Sequence, residues 1–129
     1  MPKAPMISII DDDDTVREGT LDLLKSMGFC AVSFSSAADF LNSSDLHSTS
    51  CLIADVQMPG MTGLELHSHL LRSGNVIPTI LMTAYPHAHD WSRLLQSGVI
   101  CHLTKPFSYD DLFAGICSAL GSHKAGAKE

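Results

Sequence analysis

The stretch CLIADVQMPGMTGLEL, which spans residues 51–66, combines the patterns of a buried strand, a tight turn and the start of a helix. Residues 51–54 are all apolar, as is typical of a strand covered on both faces. Asp55 follows this run directly, so a carboxylate stands at the end of the predicted strand. In the turn that follows, proline and glycine favour a reversal, Gly63 eases entry into a helix, and apolar residues recur at helical spacing over residues 64–71. The stretch therefore predicts a strand that leads directly into a helix.

The same alternation of strand and helix patterns extends to both sides of this unit. Short apolar runs predict strands at residues 6–10, 29–34, 51–54, 79–82 and 99–103. Helical spacing of apolar residues predicts helices within residues 16–27, 37–41, 64–71, 88–96 and 109–120, and Gly28, Gly74 and Gly98 stand where three of them should stop. Because the strands are apolar almost throughout, we expect an α/β fold, a doubly wound five-stranded parallel sheet with helices on both faces.

The composition limits the classes of function. The chain has 129 residues, of which 45% are hydrophobic and 17% charged, so it predicts one packed domain and not a disordered tail. The 14 acidic residues outnumber the 8 lysines and arginines, which gives a net charge of −6. This charge repels nucleic-acid phosphates and anionic lipid surfaces, so we do not expect this segment to bind DNA directly.

The cysteines and the N-terminus indicate a compartment. Cys30, Cys51, Cys101 and Cys117 form no CxxC pair, and three of them lie inside or at the start of apolar runs, so they are interpreted as reduced core residues. The N-terminus lacks the apolar stretch of a signal peptide, and no apolar run approaches the roughly 18 residues of a membrane span. We therefore expect a cytoplasmic protein that does not span a membrane.

Polar side chains follow four of the five predicted strands. Four aspartates at residues 11–14 follow the first strand, Asp55 the third, Thr83 the fourth and Lys105 the fifth. Because the carboxyl ends of parallel strands lie at one edge of the sheet, these groups should meet there. Clustered carboxylates repel one another, and a divalent cation together with an ammonium would relieve the repulsion. Oxygen ligands suit Mg2+, and a carboxylate beside Mg2+ and a lysine can attack a phosphoryl group, so Asp55 is the best candidate nucleophile.

Four segments carry a resemblance to a known family. IIDDDDTVR, CLIADVQMPGMTGLEL, ILMTA and LTKPF occur in this order and spacing, and the chain resembles the receiver domain (CheY-like) of two-component response regulators over residues 6–120. The resemblance implies a flavodoxin-like sheet of strand order 2-1-3-4-5. It is closest to the branch of the family whose members carry a LuxR-type helix-turn-helix output domain.

The resemblance implies an Mg2+ site and a phosphoacceptor. Asp55 matches the phosphoacceptor, and Asp11 and Asp12 match the acid pair, with Asp12 a direct Mg2+ ligand and Asp11 acting through water. Gln57 matches the residue whose backbone carbonyl completes the metal shell. Four consecutive aspartates would permit a shift of register, but the position of Arg17 favours the first two and leaves residues 13 and 14 as helix-capping or rim charges.

The resemblance also implies a switch. Thr83 matches the hydroxyl that bonds a phosphoryl oxygen, Lys105 matches the ammonium that grips another, and the bond before Pro106 matches one that is cis in the family. Where the family usually has Tyr or Phe, three residues before Lys105, this chain has His102. We hypothesise that His102 still serves as the rotameric reporter, or makes the partner surface sensitive to pH, because histidine titrates near neutrality.

Membership of this family would imply which partners the chain has and where its domain ends. A sensor histidine kinase would supply the phosphoryl group, and the fourth helix, fifth strand and fifth helix would present the switched face to a partner or an output domain. Such a protein phosphorylates and dephosphorylates itself without being a turnover enzyme, and a phosphorylation-dependent homodimer is a further expectation. We expect residues 1–121 to form the receiver domain and residues 122–129 a flexible tail or the start of a linker, whether the chain is a stand-alone regulator or part of a longer one.

Three alternatives stay open from the sequence. A haloacid-dehalogenase-like phosphohydrolase would use Asp11 as its nucleophile, with Asp13 and Thr15 completing its first motif, but it would leave Asp55 without a role. An interaction module with an inactive pocket is disfavoured, because no expected pocket residue is missing. A histidine metal site is also disfavoured. Residues 67 and 69 are two apart on a predicted helix and face different ways, and residues 87 and 89 lie in a loop-like segment with no cysteine or acid cluster except Asp90.

Overall fold

Five strands and five α-helices alternate along the chain, as the sequence predicts. The computed structural model describes residues 5–88 and 90–128, and describes side chains only as far as Gly121. The strands are β1 (Met6–Ile10), β2 (Cys30–Phe34), β3 (Cys51–Asp55), β4 (Thr79–Thr83) and β5 (Val99–Thr104). The helices are α1 (Asp14–Ser26), α2 (Ala37–Leu41), α3 (Gly63–Arg72), α4 (Trp91–Gln96) and α5 (Tyr109–Lys128), with short 3₁₀ helices at Ser44–Ser48 and Pro86–Ala88.

The sheet is parallel throughout and has the order β2-β1-β3-β4-β5. Every residue of β3 and β4 is buried, which explains why these segments are apolar without alternation. One face of the sheet packs on α2, α3 and α4 through a core that includes Phe40, Leu66 and Leu81. The other face packs on α1 and α5 through a core that includes Leu24 and Ile116. The predicted doubly wound fold is confirmed.

Side chains and glycines set the helix ends. Asp13 caps α1, since its carboxylate accepts hydrogen bonds from the backbone N–H groups of Thr15 and Val16, which confirms its predicted capping role. Thr62 and Glu65 form a reciprocal capping box at the start of α3, which the sequence interpretation did not identify. The glycines predicted to stop helices, Gly28, Gly74 and Gly98, all have positive φ, a conformation that glycine adopts without steric cost.

Two helix boundaries differ from the sequence predictions. The fourth helix begins at Trp91 and not at residue 88, because a 3₁₀ turn at Pro86–Ala88 precedes it and the Asp90 carboxylate caps it. Helix α5 continues past residue 120, where the predicted helix ends, to Lys128, and the flexible tail expected at residues 122–129 stays a prediction. The side chains of residues 122–129 lie outside the described residues, and a linker role there stays a prediction.

The interpretation of the cysteines as core residues is correct for one of the four. All four thiols are free, but only Cys51 is buried, since it lies in the central strand β3. Cys101 is half-buried, and Cys30 and Cys117 are exposed, because Cys30 begins a strand at the edge of the sheet and Cys117 lies on the outer surface of α5. Burial raises the pKa of the Cys51 thiol to about 12. Across the described parts of the chain, no helix has both the length and the apolar character that crossing a membrane requires.

Candidate functional site

Lys105 joins two strand ends at the carboxyl edge of the sheet. Its ammonium Nζ lies 2.9 Å from Oδ2 of Asp11, directly after β1, and 3.0 Å from Oδ2 of Asp55, the last residue of β3. Asp11 has no exposed surface and Asp55 is 7% exposed. The structure therefore brings together three predicted site residues that are far apart in the sequence.

The second oxygen of each carboxylate is held by the backbone. Oδ1 of Asp11 accepts a hydrogen bond from the N–H of Asp13 at 2.9 Å, and Oδ1 of Asp55 accepts one from the N–H of Gln57 at 3.1 Å. Each acid thus bonds a backbone N–H through one oxygen and the shared ammonium through the other. This double attachment fixes the orientation of both carboxylates before any ligand binds.

The charges at this edge do not balance. Burial raises the pKa of Asp55, and the charge of Asp11 adds to the rise, while hydrogen bonds from Lys105 and the Gln57 N–H partly offset it. Burial alone would lower the pKa of Lys105, but hydrogen bonds and charge attraction from Asp11 and Asp55 outweigh burial and raise it. The ammonium therefore stays protonated, and one cation faces two carboxylates.

A third acid completes a candidate metal site. One carboxylate oxygen from each of Asp11, Asp12 and Asp55 lies within 4.8 Å of the others, and Asp12 is exposed while the other two are buried. An oxygen-only set with one open side suits Mg2+, which keeps several waters and takes few protein ligands. The side chain of Gln57 is exposed, which is compatible with the predicted use of its backbone carbonyl. The donor set therefore fits the predicted Mg2+.

Thr83 lies at the same edge but is not yet engaged with the acids. It is the last residue of β4 and is 1% exposed, and its Oγ1 accepts a hydrogen bond of 2.9 Å from the N–H of Tyr85. Its carbonyl accepts the N–H of Lys105 at 2.8 Å. Among the described residues, no hydrogen bond joins the Thr83 side chain to Asp55 or Lys105. The peptide bond between Lys105 and Pro106 is cis, as the resemblance implies.

His102 is the predicted site residue that the structure places away from the acids. Its ring stacks on the indole of Trp91 in α4, with ring centroids 4.1 Å apart and an angle of 14° between the planes. In the sheet His102 pairs with Leu81, two residues before Thr83. Its proposed reporter role stays a prediction, but its neighbour is now known to be an aromatic residue of α4.

Two further residues shape the site. The Arg17 guanidinium donates a hydrogen bond of 2.9 Å to the backbone carbonyl of Asp11 and pairs with Asp14, so it braces the loop that carries the acids. A Cβ on Gly63 would lie 2.4 Å from the carbonyl oxygen of Asp55, so only glycine fits this close approach of α3 to the end of β3. Arg17 served to set the sequence register and Gly63 was interpreted as a helix entry, but neither contact was predicted.

The histidine metal site that the sequence disfavours is not part of the acid cluster. His67 is buried and its Nε2 bonds the carbonyl of Ser97 at 3.1 Å, whereas His69 is half-buried on α3. His89 lies outside the described residues, so the second pair is not tested. Among the described residues, the only clusters of three or more metal-binding groups involve the aspartates 11, 12 and 55.

A family model for the response regulator receiver domain matches residues 7–116, and the chain belongs to this family. Receiver domains of this family are generally not turnover enzymes. The chain is 36% identical to the response regulator protein TodT of Pseudomonas putida over 92% of its own length and 52% of TodT. It is 35% identical to the transcriptional regulatory protein FixJ of Azorhizobium caulinodans over 100% of its length and 62% of that protein.

A solved structure agrees with the family assignment. The structure of the response regulator StyR superposes with a TM-score of 0.87 at 34% identity, over 98% of this chain and 65% of StyR. The chain thus spans between about half and two thirds of the length of these relatives. Neither these comparisons nor the described structure supports the haloacid-dehalogenase-like alternative.

Proposed function

We propose that this domain accepts a phosphoryl group on Asp55 from a sensor histidine kinase and changes the surface of α4, β5 and α5 in response. The observation that carries the proposal is the placement of Lys105 between Asp11 and Asp55, with Asp12 beside them. One side of this cluster is open to solvent at Asp12, so a phosphodonor can approach it.

Asp55 has the geometry of a nucleophile. Its Oδ1 is held by the N–H of Gln57 and its Oδ2 by Lys105, so the carboxylate is positioned before the donor arrives. In the transfer, a carboxylate oxygen of Asp55 forms a bond to phosphorus while the bond from phosphorus to the donor nitrogen breaks. The nitrogen leaves with that electron pair and the Asp55 carboxylate becomes an acyl phosphate.

Asp11, Asp12 and Asp55, with the carbonyl of Gln57, would hold Mg2+. When bound, Mg2+ neutralises negative charge on the phosphoryl oxygens. Lys105 supplies a second positive charge beside Asp11 and Asp55, and its raised pKa keeps it protonated through this chemistry. The chain's own residues thus orient the nucleophile and supply one of the two cations.

Thr83 is placed to sense the product. A hydroxyl has one hydrogen to donate, and the hydrogen bond from Tyr85 uses only an acceptor position of Oγ1. The hydroxyl hydrogen can therefore go to a phosphoryl oxygen. A hydrogen bond to a charged group contributes roughly 1.5–3 kcal/mol, which is enough to shift a nearly balanced equilibrium more than tenfold.

The wider role follows from the relatives. TodT, FixJ and StyR are response regulators, and FixJ is named as a transcriptional regulator. We propose that this domain likewise controls an output domain or a downstream protein in the cytoplasm, with a phosphorylation-dependent homodimer as one form of control. The net charge of −6 supports an output that acts on DNA through another segment and not through this one.

Incubation with acetyl phosphate, Mg2+ and no kinase tests the proposal. We expect one phosphoryl group per chain, measured by intact-protein mass, with none in Asp55→Asn and normal labelling in the exposed control Asp22→Asn. A chain that is not labelled is an interaction module with an inactive pocket, which would refute the proposal. Steady release of product from a phosphomonoester, lost in Asp11→Asn, would instead establish a phosphohydrolase.

A further inference from the structure

Trp91 lies flat against His102 on the face of the sheet that also carries Thr83. The two rings are 4.1 Å apart with an angle of 14° between them. His102 pairs with Leu81, and side chains alternate along a strand, so Leu81 and Thr83 share one face of β4. Leu81 and Trp91 belong to the same core cluster, which identifies this face as the one covered by α4.

The indole also contacts the loop between β4 and α4. Its Nε1 donates a hydrogen bond to the carbonyl of Pro86, in the 3₁₀ turn that precedes α4. The same loop begins at Thr83, whose hydroxyl oxygen accepts the N–H of Tyr85. Thr83, Tyr85, Pro86, Trp91 and His102 therefore form a continuous series of contacts from the edge of the site to β5.

Helix α4 has few other attachments to the domain. It is short, none of its residues is fully buried, and only Trp91 and Leu94 pack against the core. A short helix without buried residues gains little stability from its own hydrogen bonds. The position of α4 consequently depends strongly on where the Trp91 indole is held.

We propose that Trp91 is the positioning residue that couples Asp55 to α4, and that its stack on His102 holds α4 in the unphosphorylated arrangement. This inference rests on the proposed function. When Thr83 rotates about its Cα–Cβ bond to bring its hydroxyl to a phosphoryl oxygen, Oγ1 moves away from the N–H of Tyr85, and the loop that holds the indole through Pro86 moves. The indole then leaves the imidazole and α4 is released. In this proposal His102 provides the ring on which the Trp91 indole stacks, and His102 is not the side chain that changes rotamer.

Trp91 is the single tryptophan of the chain, so tryptophan fluorescence reports on the surroundings of this one indole. We expect acetyl phosphate with Mg2+ to make the emission stronger and shift it to longer wavelength, as the indole leaves the imidazole and meets water. Asp55→Asn should show no change. His102→Ala should show the altered emission before phosphorylation, whereas the exposed control His47→Ala should behave like the parent chain.

A double-mutant cycle separates coupling from a merely structural role. If the stack favours the unphosphorylated arrangement, Trp91→Ala and His102→Ala should each speed labelling by acetyl phosphate about twofold to tenfold, the range expected for loss of one stacked pair. The double variant should be no faster than either single variant. His102→Phe, which keeps an aromatic surface under the indole, should label at the parent rate.

The outcomes are distinguishable from failure of the proposed function, because labelling is measured by mass on the same samples. A phosphorylated chain with unchanged Trp91 emission would overturn this inference and leave the proposed function standing. If Trp91→Ala and His102→Ala changed the labelling rate additively, that result would also overturn this inference. A parent chain that is never labelled would overturn both.

Discussion

At the residue scale, the buried charge of Asp55 works against folding. Burial raises its pKa above the usual 3.8, so the folded chain binds a proton at pH values where the unfolded chain has released it. The stabilising effect of that proton is present below the unfolded pKa and is lost as the pH rises through the folded pKa. Ionised Asp55 therefore makes the domain less stable at neutral pH than a neutral side chain of the same shape.

We accordingly predict that Asp55→Asn raises the thermal unfolding midpoint by a few degrees at neutral pH, in the absence of divalent cations. The gain should shrink as the pH falls below the usual pKa of 3.8, where the parent carboxylate becomes neutral in both states. Differential scanning calorimetry over this pH range is the measurement, and Asp22→Asn removes an exposed charge as the control. A variant less stable than the parent at neutral pH would contradict this account of Asp55.

Asp12 allows metal binding to be separated from folding, because it is exposed and yet belongs to the acid cluster. Mg2+ at ten times its dissociation constant should stabilise the parent chain by about 1.4 kcal/mol through linkage. In Asp12→Asn we expect most of this stabilisation to disappear, with little change in the stability of the metal-free protein. Thermal midpoints with and without Mg2+ measure both quantities. Asp22→Asn should be stabilised by Mg2+ as the parent is. If both variants lost this stabilisation equally, Mg2+ would be acting through the general charge of the domain and not through Asp12.

Gly63 tests how closely α3 must approach the end of β3. An added Cβ would lie 2.4 Å from the Asp55 carbonyl, and backbone cannot move aside as a flexible side chain can. We expect Gly63→Ala to cost about 1–3 kcal/mol of folding free energy and to weaken Mg2+ binding by displacing Asp55. Gly19→Ala is the matched control, since nothing lies within 4 Å of a Cβ there and alanine should stabilise helix α1 by up to about 1 kcal/mol. Urea unfolding of both variants distinguishes the contact from a general effect of alanine.

The meeting of Asp11, Asp55 and Lys105 was predictable from sequence because parallel strands bring their carboxyl ends to one edge. The contacts of Arg17 with the Asp11 carbonyl and of Gly63 with the Asp55 carbonyl were not. They depend on where backbone atoms of two elements approach each other, and that distance has no signature in residue type or spacing. Glycine at position 63 is equally compatible with a simple turn, which is how it was interpreted.

At the element scale, helix α4 is held at its carboxyl end by a histidine of α3. The buried His67 donates a hydrogen bond through Nε2 to the carbonyl of Ser97, the residue that caps α4, and it also lies against Gly98. This contact ties α3 to the turn that leads into β5. Together with the packing of Trp91 at the other end, it is one of the few contacts that hold a helix that buries no residue of its own.

We predict that His67→Ala lowers the free energy of unfolding by about 1–3 kcal/mol, because a buried side chain is lost and its hydrogen bond with Ser97 goes with it. His47→Ala removes an exposed histidine and should change stability by less than about 0.5 kcal/mol. Urea denaturation measures both. Equal stability of the two variants would show that His67 does not anchor α4.

The sequence placed the start of α4 three residues too early. Apolar spacing extends through residues 88–96, and a 3₁₀ turn followed by a capped helix repeats nearly the same spacing as one longer helix. The Asp90 cap decides the boundary, but an aspartate within a helical pattern does not by itself distinguish a cap from an exposed helix position. The helix ends at residues 28, 74 and 98 were correctly predicted. The backbone has a positive φ at each of them, and few residues other than glycine adopt that conformation.

At the scale of the whole molecule, strand composition predicts a parallel sheet covered on both faces, and the structure has it. The strand order 2-1-3-4-5 was implied by the resemblance and not by the pattern, since apolar runs identify strands without their neighbours. The two cores on either side of the sheet hold the strand ends rigidly, whereas α4 rests on few contacts. A rigid site beside a weakly held helix is the arrangement that a phosphorylation switch needs.

The most direct test of the central claim is to locate the phosphoryl group after treatment with acetyl phosphate and Mg2+. Borohydride reduction of the acyl phosphate followed by peptide mass spectrometry identifies the modified residue. The account predicts modification at Asp55 alone, dependent on Mg2+ and strongly reduced in Lys105→Met. Modification at Asp11 or Asp12 with Asp55 unmodified would contradict it.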